Sequence, residues 1–368
     1  MRQKWGKKLK KNWTGRGASE AATITVNTTV PGIATDGKCS LIEAIINAND
    51  NAATHSDCLV ASDPDPPEDH IILPNNQKII LTTPFPGSGS YGPTGLSLIT
   101  SAITIEGNGA KIMRKKMGAP FRLLSVTNTG DLELQNLTLS RGRSTYAGGA
   151  IINAGQLTIT DSTITGNTGP IGGAIANYHE LTITNSTISK NTAKGSFANL
   201  SFNGGYGGGI ANDTTGTLTI SNSTVTMNKA YIGGAIINGG NFSISGSEIS
   251  KNTALAGAGI ANYSGSAPTH TIANSTISGN IAKLKTFKAN GLIYLIGGIG
   301  GALLNYQSLI TVTNSAISGN SAKGKKFRGS IFGGAGGGIA NGISSVANLT
   351  LTGGSVTGNS ASYLWGAA

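Results

Sequence analysis

The sequence predicts an all-β solenoid, a right-handed parallel β-helix with three strands in each coil of about 24 residues. Seven imperfect copies of one segment follow one another between residues 148 and 359. Each copy holds three short runs in which apolar and small polar residues alternate, as in strands. Glycine, which accounts for 55 of the 368 residues, and asparagine recur between these runs, where the chain must turn.

The repeat length comes from the first two copies, GGAIINAGQLTITDSTITGN at 148–167 and GGAIANYHELTITNSTISKN at 172–191. If the copies stack as coils, equivalent side chains form ladders with a spacing of about 4.8 Å. The first runs predict an apolar ladder of Ile151, Ile175, Ile210, Ile236, Ile260, Leu303 and Ile339. The second runs begin another ladder with Leu157, Leu181, Leu218 and Phe242.

Two asparagine positions recur in register through all seven copies. The first set is Asn153, Asn177, Asn212, Asn238, Asn262, Asn305 and Asn341, and the second is Asn167, Asn191, Asn228, Asn252, Asn280, Asn320 and Asn359. Asparagine tolerates the left-handed backbone conformation of a tight corner, and its amide can bond to the coils on both sides. We therefore interpret both sets as structural corner ladders and not as rows of ligands.

The chain before the repeats predicts a cap for the open end of the solenoid. Ser40 and Glu43 have capping-box spacing, and the helix that they start is expected to run to about Asn49 and to cover the first coil. The Pro-rich stretch 61–69 is interpreted as a loop. The predicted divisions are a basic disordered leader (1–22), the cap and first strands (23–100), the β-helix (101–360) and a tail (361–368).

Export and redox state are not settled by these residues. Residues 1–17 contain seven basic side chains and no acid, like the start of a signal peptide, but no apolar segment follows them. Because the chain has no run of 18 apolar residues, we expect no transmembrane helix. In an exported protein Cys39 and Cys58 would form a disulfide that contributes about 3 kcal/mol, whereas in the cytosol they would be two buried thiols.

Two motifs resemble a known family. The segment CSLIEAIINAN (39–49) resembles the CSLREA-type segment that precedes pectate-lyase-like β-helices in bacterial surface proteins, with Ile42 in place of the usual Arg. The GGAI tetrapeptides and the later Ile/Val-x-x-Asn are similar to the repeats of polymorphic outer-membrane proteins, in which Phe stands where Ile or Val stands here. The resemblance implies a pectin-lyase-like fold and an extracellular or cell-surface location.

The residues that could support catalysis are dispersed. Glycan hydrolases need two flanking carboxylates, and lyases that resemble this fold use acidic residues to hold calcium plus a basic residue. The candidate acids are Asp131, Glu133, Asp161, Glu180, Asp213 and Glu248, in different registers, and the histidines are His55, His70, His179 and His270. We interpret them as solvated surface groups, so no catalytic residue, metal site or cofactor is predicted.

Three copies are lengthened at the same corner, by residues 194–206, 283–298 and 323–334. Insertions at one register of a solenoid emerge along one edge, which is often a binding face. They contain basic and aromatic residues without any acid, a combination that suits an anionic polymer. The predicted ligand-binding residues are Lys194, Phe202, Tyr206, Lys283, Lys285, Phe287, Lys288, Tyr294, Lys323, Lys325, Lys326, Phe327 and Arg328. In the alternative interpretation the lysines keep the loops soluble while the rings pack beneath them.

The predicted function is that of a secreted or surface-exposed, adhesin-like β-helix that binds an acidic polysaccharide or another anionic envelope polymer without acting on it. Nucleic acid is disfavoured because no recognised binding motif is present. The alternatives are a polysaccharide lyase or glycoside hydrolase, a passive structural envelope protein, and an ice-binding solenoid. The last rests on outward Thr and Ser pairs such as Thr158 and Thr160, although Thr is also an ordinary exposed strand residue.

Overall fold

The computed structural model describes residues 21–58, 60–63, 68–87, 89–198, 201–264, 270–289, 292–327, 330–342 and 347–362. These residues form a right-handed parallel β-helix whose coils contribute strands to three long sheets. The predicted leader and tail lie largely outside the described residues. Their described ends, Ala21–Ala22 and Ala361–Ser362, belong to strands, so both predicted boundaries fall inside the folded region.

Sheet I, with twelve strands, is the largest sheet of the described residues. In order across the sheet it contains β2 (Val60–Asp63), β1 (Ala21–Thr25), β3 (Asp69–Ile72), β5 (Ala102–Glu106), β8 (Asp131–Gln135), β11 (Gln156–Thr160), β15 (Glu180–Thr184), β21 (Thr217–Ser221), β24 (Asn241–Ser245), β28 (His270–Ala273), β33 (Leu309–Thr313) and β39 (Asn348–Thr352). Residues 61–63 of the predicted Pro-rich loop thus belong to β2, which pairs antiparallel with β1.

Sheets II and III complete each coil. Sheet II contains β4 (Lys78–Leu81), β6 (Lys111–Arg114), β9 (Thr138–Ser140), β12 (Thr163–Thr165), β16 (Thr187–Ser189), β22 (Thr224–Thr226), β25 (Glu248–Ser250), β29 (Thr276–Ser278), β34 (Ala316–Ser318) and β40 (Ser355–Thr357). Sheet III contains β7 (Leu124–Val126), β10 (Ile151–Asn153), β14 (Ile175–Asn177), β20 (Ile210–Asn212), β23 (Ile236–Asn238), β27 (Ile260–Asn262), β32 (Leu303–Asn305) and β38 (Ile339–Asn341).

A short fourth set of strands, which the repeat pattern did not predict, lies between sheets II and III. It comprises β13 (Thr168–Gly169) with β17 (Thr192–Ala193), and β26 (Thr253–Ala254), β30 (Ile281–Ala289), β35 (Ser321–Lys323) and β41 (Ser360–Ser362). The three insertions leave the solenoid here as antiparallel hairpins. Hairpin one is β18 (Gly195–Ala198) with β19 (Ser201–Gly204), hairpin two is β30 with β31 (Leu292–Gly297), and hairpin three is β36 (Lys325–Phe327) with β37 (Ser330–Phe332).

The predicted apolar ladders are confirmed by the strand register. Ile151 pairs with Ile175, and the series continues coil by coil to Ile339. Leu157, Leu181 and Leu218 pair in the same way. Nearly all of these side chains are fully buried and belong to one continuous core. Because each coil presents the same apolar positions to its neighbours, stacking alone closes the core.

The asparagine ladders bond as predicted, but they do not occupy the left-handed corners. Each residue just before the second ladder takes that conformation instead, as at Lys190 (φ 57°) and Met227 (φ 56°) before Asn191 and Asn228. The ladder side chain must point into the coil to bond with its neighbours, whereas the left-handed residue lies outside and tolerates other side chains. A further ladder, which was not predicted from the sequence, runs from Ser162 to Ser315. In it, each serine backbone amide donates to the hydroxyl of the serine in the next coil.

The predicted cap helix is present as α1 (Leu41–Asp50), and a short 3₁₀ turn follows at Gly89–Tyr91. Ser40 and Glu43 form the predicted capping box, since the Ser40 hydroxyl accepts a bond from the Glu43 amide and the Glu43 carboxylate accepts one from Ser40. The helix buries Leu41, Ala44 and Ile45 against the first strands, which closes that end of the core. Cys39 and Cys58 are joined by a disulfide, with a Cα–Cα distance of 4.5 Å.

Close contact between coils at Gly173 yields the first testable prediction. A Cβ on Gly173 would lie 2.1 Å from the Gly208 carbonyl oxygen of the next coil. We expect Gly173→Ala to lower the free energy of unfolding by about 2 kcal/mol, because the overpacked atoms are backbone and cannot swing away. Urea unfolding measures this, with Gly32→Ala as the control because no atom lies within 4 Å of a Cβ there. Equal stability of the two variants would contradict the prediction.

Candidate functional site

The candidate site lies on the outer face of sheet III, where the coils form a groove of about 240 Å³. Its floor consists of Ala176, Ala211 and Ile237, which pair in register on successive strands. Each is the middle residue of its strand, and the residues on either side of it point into the core. One wall is formed by Ile171 and Tyr206, which are bridged to each other where the chain enters sheet III. The floor is therefore flat, apolar and repeated coil by coil.

The opposite wall is formed by the residues that directly follow the first asparagine ladder. Tyr178, Asp213 and Tyr263 line the groove from this position, and the Tyr306 ring stacks on Tyr263 with a centroid distance of 5.4 Å. Sequence reasoning did not single out these tyrosines, although a signal was present: Asn-Tyr occurs at the end of the first run in three copies. Alignment of the copies by ladder would have placed them together.

The electrostatics of the groove keep its phenols protonated. Burial, with the neighbouring Tyr306 and Tyr206, raises the pKa of Tyr263 to about 12. Burial and then the Asp213 charge raise the pKa of Tyr178, although Arg122 acts in the opposite direction. At neutral pH the wall thus offers hydroxyl donors and the Asp213 carboxylate as an acceptor, above an apolar floor. Such a combination suits flat polar ligands such as sugar rings.

The three predicted insertions do share one edge, which adjoins the groove. Tyr206 connects the two features, because its ring lines the groove and its hydroxyl donates to the Phe202 carbonyl of hairpin one at 3.1 Å. The exposed lysines of this edge are Lys194, Lys283, Lys285, Lys288 and Lys323. We call these five residues the basic edge.

The basic edge has no neutralising partner in the later part of the chain. Lys283 and Lys323 pair in register on neighbouring parallel strands, where like charges repel each other. Residues 249–368 contain eight basic residues and no Asp or Glu. An anionic ligand would relieve this repulsion.

Several aromatic side chains of the insertions pack on one another. Phe287 is only 8% exposed, and the rings of Phe197, Phe202 and Tyr231 contact it. The Tyr294 ring contacts Phe197, so these rings form one cluster. The burial of Phe287 favours the alternative interpretation, in which the rings pack beneath the lysines, whereas a ligand-binding role for the other predicted aromatic residues stays a prediction. Lys325, Lys326 and Phe327 form strand β36. Their side chains and the whole of Arg328 lie outside the described part of the structure.

Some dispersed polar residues are not solvated surface groups. Asp131 and Glu180 flank Gln156 in one register of sheet I. Burial raises the pKa of Asp131, and the charges of Glu68, Glu133 and Glu180 raise it further. His270, expected at the surface, is completely buried. Asp213 is the groove's one carboxylate among the described residues, which also contain no group of three side chains that could hold a metal ion. No described helix is long and apolar enough to cross a membrane.

Comparison with known proteins identifies the family. The model described as "Right handed beta helix region" matches residues 94–298, more than half of the chain, and the chain therefore belongs to that family. Two solved structures are similar to it, the A-modules of the mannuronan C-5 epimerases AlgE6 and AlgE4 of Azotobacter vinelandii.

Both structures share 13% sequence identity with this chain, and both alignments cover 89% of it. The alignment covers 97% of the AlgE6 module with a TM-score of 0.41, and 94% of the AlgE4 module with a TM-score of 0.40. At these values they carry no information about activity. None of the curated proteins compared with the sequence matches it.

Proposed function

We propose that this chain is a secreted or surface-exposed β-helix that binds a linear acidic polysaccharide, or another anionic polymer, without cleaving it. The polymer would lie along the sheet III groove, with its charges towards the basic edge. The observation that carries the proposal is the set of five exposed lysines, which form no ion pair with the described residues, beside a groove lined by tyrosines.

Each part of the site supplies a different component of binding. The tyrosine faces and the apolar floor match the apolar faces of sugar rings, while the lysines attract the anionic groups at longer range. The register of the coils repeats the apolar floor along the groove, as a linear repeating ligand requires. The Cys39–Cys58 disulfide is compatible with export, because disulfides persist in oxidising compartments.

The rival functions differ in what they require. A hydrolase needs a pair of carboxylates, and the groove presents Asp213 as its one acidic side chain among the described residues. Thr158, Thr182 and Thr219 are aligned in register on sheet I, with their hydroxyls pointing outward. An ice-binding protein would require a regular array of this kind. A passive structural protein and an ice-binding protein both predict that no polymer binds saturably.

The test compares two pairs of lysines that have the same arrangement. We expect the native chain to bind polygalacturonate saturably and with strong salt dependence, and the double variant Lys283→Gln/Lys323→Gln to bind about tenfold more weakly, since each exposed charge contributes roughly 0.7 kcal/mol. Lys78 and Lys111 are also exposed and paired in register, but they lie on sheet II. Isothermal titration of Lys78→Gln/Lys111→Gln therefore provides the matched control.

Several outcomes would reject the proposal. Absence of saturable binding, or an equal loss of affinity in both double variants, would favour the structural or ice-binding function. Equal affinity for a neutral galactan would show that charge does not select the ligand. Release of unsaturated products or new reducing ends from polygalacturonate would favour the lyase or hydrolase.

A further inference from the structure

Hairpins one and two meet outside the solenoid, although they leave it from coils that are not neighbours. In the hydrogen-bond pattern, the Tyr231 amide donates to Gly205 at the base of hairpin one, and the Leu255 amide donates to Tyr231. The Gly298 amide, at the base of hairpin two, then donates to Leu255. Two complete coils thus separate the hairpin bases, which are about 14 Å apart at the usual strand spacing.

The rings nevertheless touch across this gap. The Phe197 ring of hairpin one lies 4.8 Å from the Phe287 ring of hairpin two and 5.8 Å from the Tyr294 ring. Tyr231, from a coil between them, lies 5.4 Å from Phe202 and 5.7 Å from Phe287. The hairpins therefore lean towards each other over Tyr231. We call Phe197, Phe202, Tyr231, Phe287 and Tyr294 the aromatic arch.

The arch also holds part of the basic edge. The Lys285 ammonium lies 4.8 Å from the centre of the Tyr231 ring and 5.0 Å from that of Phe287, and it donates to the Tyr231 hydroxyl at 3.3 Å. These contacts restrict a side chain that would otherwise move freely in solvent.

We propose that the aromatic arch clamps two non-adjacent coils together, so that the coils between them open only when the arch opens, and that Tyr231 is a positioning residue for Lys285. In an ordinary solenoid each repeat contacts only its neighbours, and local opening needs to break only nearest-neighbour contacts. The arch adds a contact that skips two coils. It thereby makes this part of the stack one cooperative unit and presents the basic edge as a rigid surface.

Hydrogen exchange of the full chain tests the clamp without reference to any ligand. We expect Phe197→Ala to raise the exchange rates of β30 and β31 amides roughly tenfold, because two cross-hairpin ring contacts are lost. Tyr146 is 64% exposed and outside the arch, so Tyr146→Ala should leave these rates unchanged. Faster exchange confined to β18 and β19 would overturn the clamp. If Phe197→Ala perturbs the far-ultraviolet circular dichroism, Phe197→Leu gives the same readout with less loss of volume.

The role of Tyr231 is tested by binding, and this arm rests on the proposed function. Tyr231→Leu retains apolar bulk and the number of charges, but it removes the ring and hydroxyl that hold Lys285. We expect its polygalacturonate affinity to fall several-fold, and Lys285→Gln to cause a smaller further loss in this variant than it causes in the native chain. Independent losses from the two changes would reject the positioning role. If the native chain does not bind polygalacturonate, the proposed function fails, while the exchange rates still decide whether the clamp exists.

Discussion

Replacing Asn191 by alanine is expected to lower the free energy of unfolding by about 4 kcal/mol. Asn191 is completely buried, and its side-chain oxygen accepts bonds from both the amide and the side chain of Asn167 in the preceding coil, at 2.9 and 3.0 Å. Its side-chain nitrogen donates to the Ile164 carbonyl and to Asn228. Alanine would leave several of these groups without a partner and out of reach of water, and each such group costs about 1–3 kcal/mol.

Urea unfolding measures the loss, and the exchange rate of the Asn167 amide locates it. Asn203 on hairpin one provides the control because its side chain is exposed, so Asn203→Ala should change stability by less than about 0.5 kcal/mol. A loss below about 1 kcal/mol in Asn191→Ala would mean that water or neighbouring groups replace the ladder amides. The ladder would then contribute only to the shape of the corner.

The ladders could be predicted from the sequence because a solenoid converts sequence period into spatial register. The spacing between Ile151 and Ile175 gives the repeat. Where an insertion lengthens a coil, as between Ile175 and Ile210, the recurring Gly-rich and Asn motif still marks the equivalent residue, and the strand pairs agree. The cap could be predicted for a similar reason, because a capping box depends on residues three positions apart, here Ser40 and Glu43. These features arise from local or strictly periodic interactions.

The aromatic arch and the electrostatics of the groove could not be predicted in this way. Phe197 and Phe287 are 90 positions apart in segments that interrupt the period, and nothing in the sequence states that the two hairpins lean towards each other. The burial of Arg122, whose guanidinium bonds to the Ala147 carbonyl and the Ser144 hydroxyl, likewise depends on the irregular coils before the repeat. Contacts made by insertions depend on the three-dimensional path of the chain.

His270 lies between these cases. Its position in the ladder could be predicted from the sequence, but the burial of its ring could not. It occupies the ladder position held by Leu157, Leu181 and Leu218, and its ring stacks on Phe242 with a centroid distance of 4.7 Å. The ring accepts a bond from the Phe242 amide, and its other nitrogen is buried with no hydrogen-bond partner among the described residues. A neutral imidazole fits this core as a flat apolar ring, but a charged imidazolium does not.

The chain is therefore expected to lose stability in mild acid through His270. Burial lowers the pKa of His270 from 6.5 to about 4, so protons bind the unfolded chain more readily than the folded one. The stabilisation by the neutral ring is fully present above pH 6.5 and is lost as the pH falls towards 4. Between pH 7 and pH 5 this one group should reduce the free energy of unfolding by about 2 kcal/mol.

The variant His270→Leu isolates this contribution, because it restores the residue found at the same position in other coils. Urea unfolding at the two pH values should show a smaller acid-induced loss in the variant by about 2 kcal/mol, whereas other titrating groups affect both proteins equally. His179→Leu is the control, because it removes a histidine that is exposed and outside the core. An unchanged acid-induced loss in His270→Leu would mean that the imidazolium finds solvent or a partner in the coil. In that case the core at this position would open without unfolding the stack.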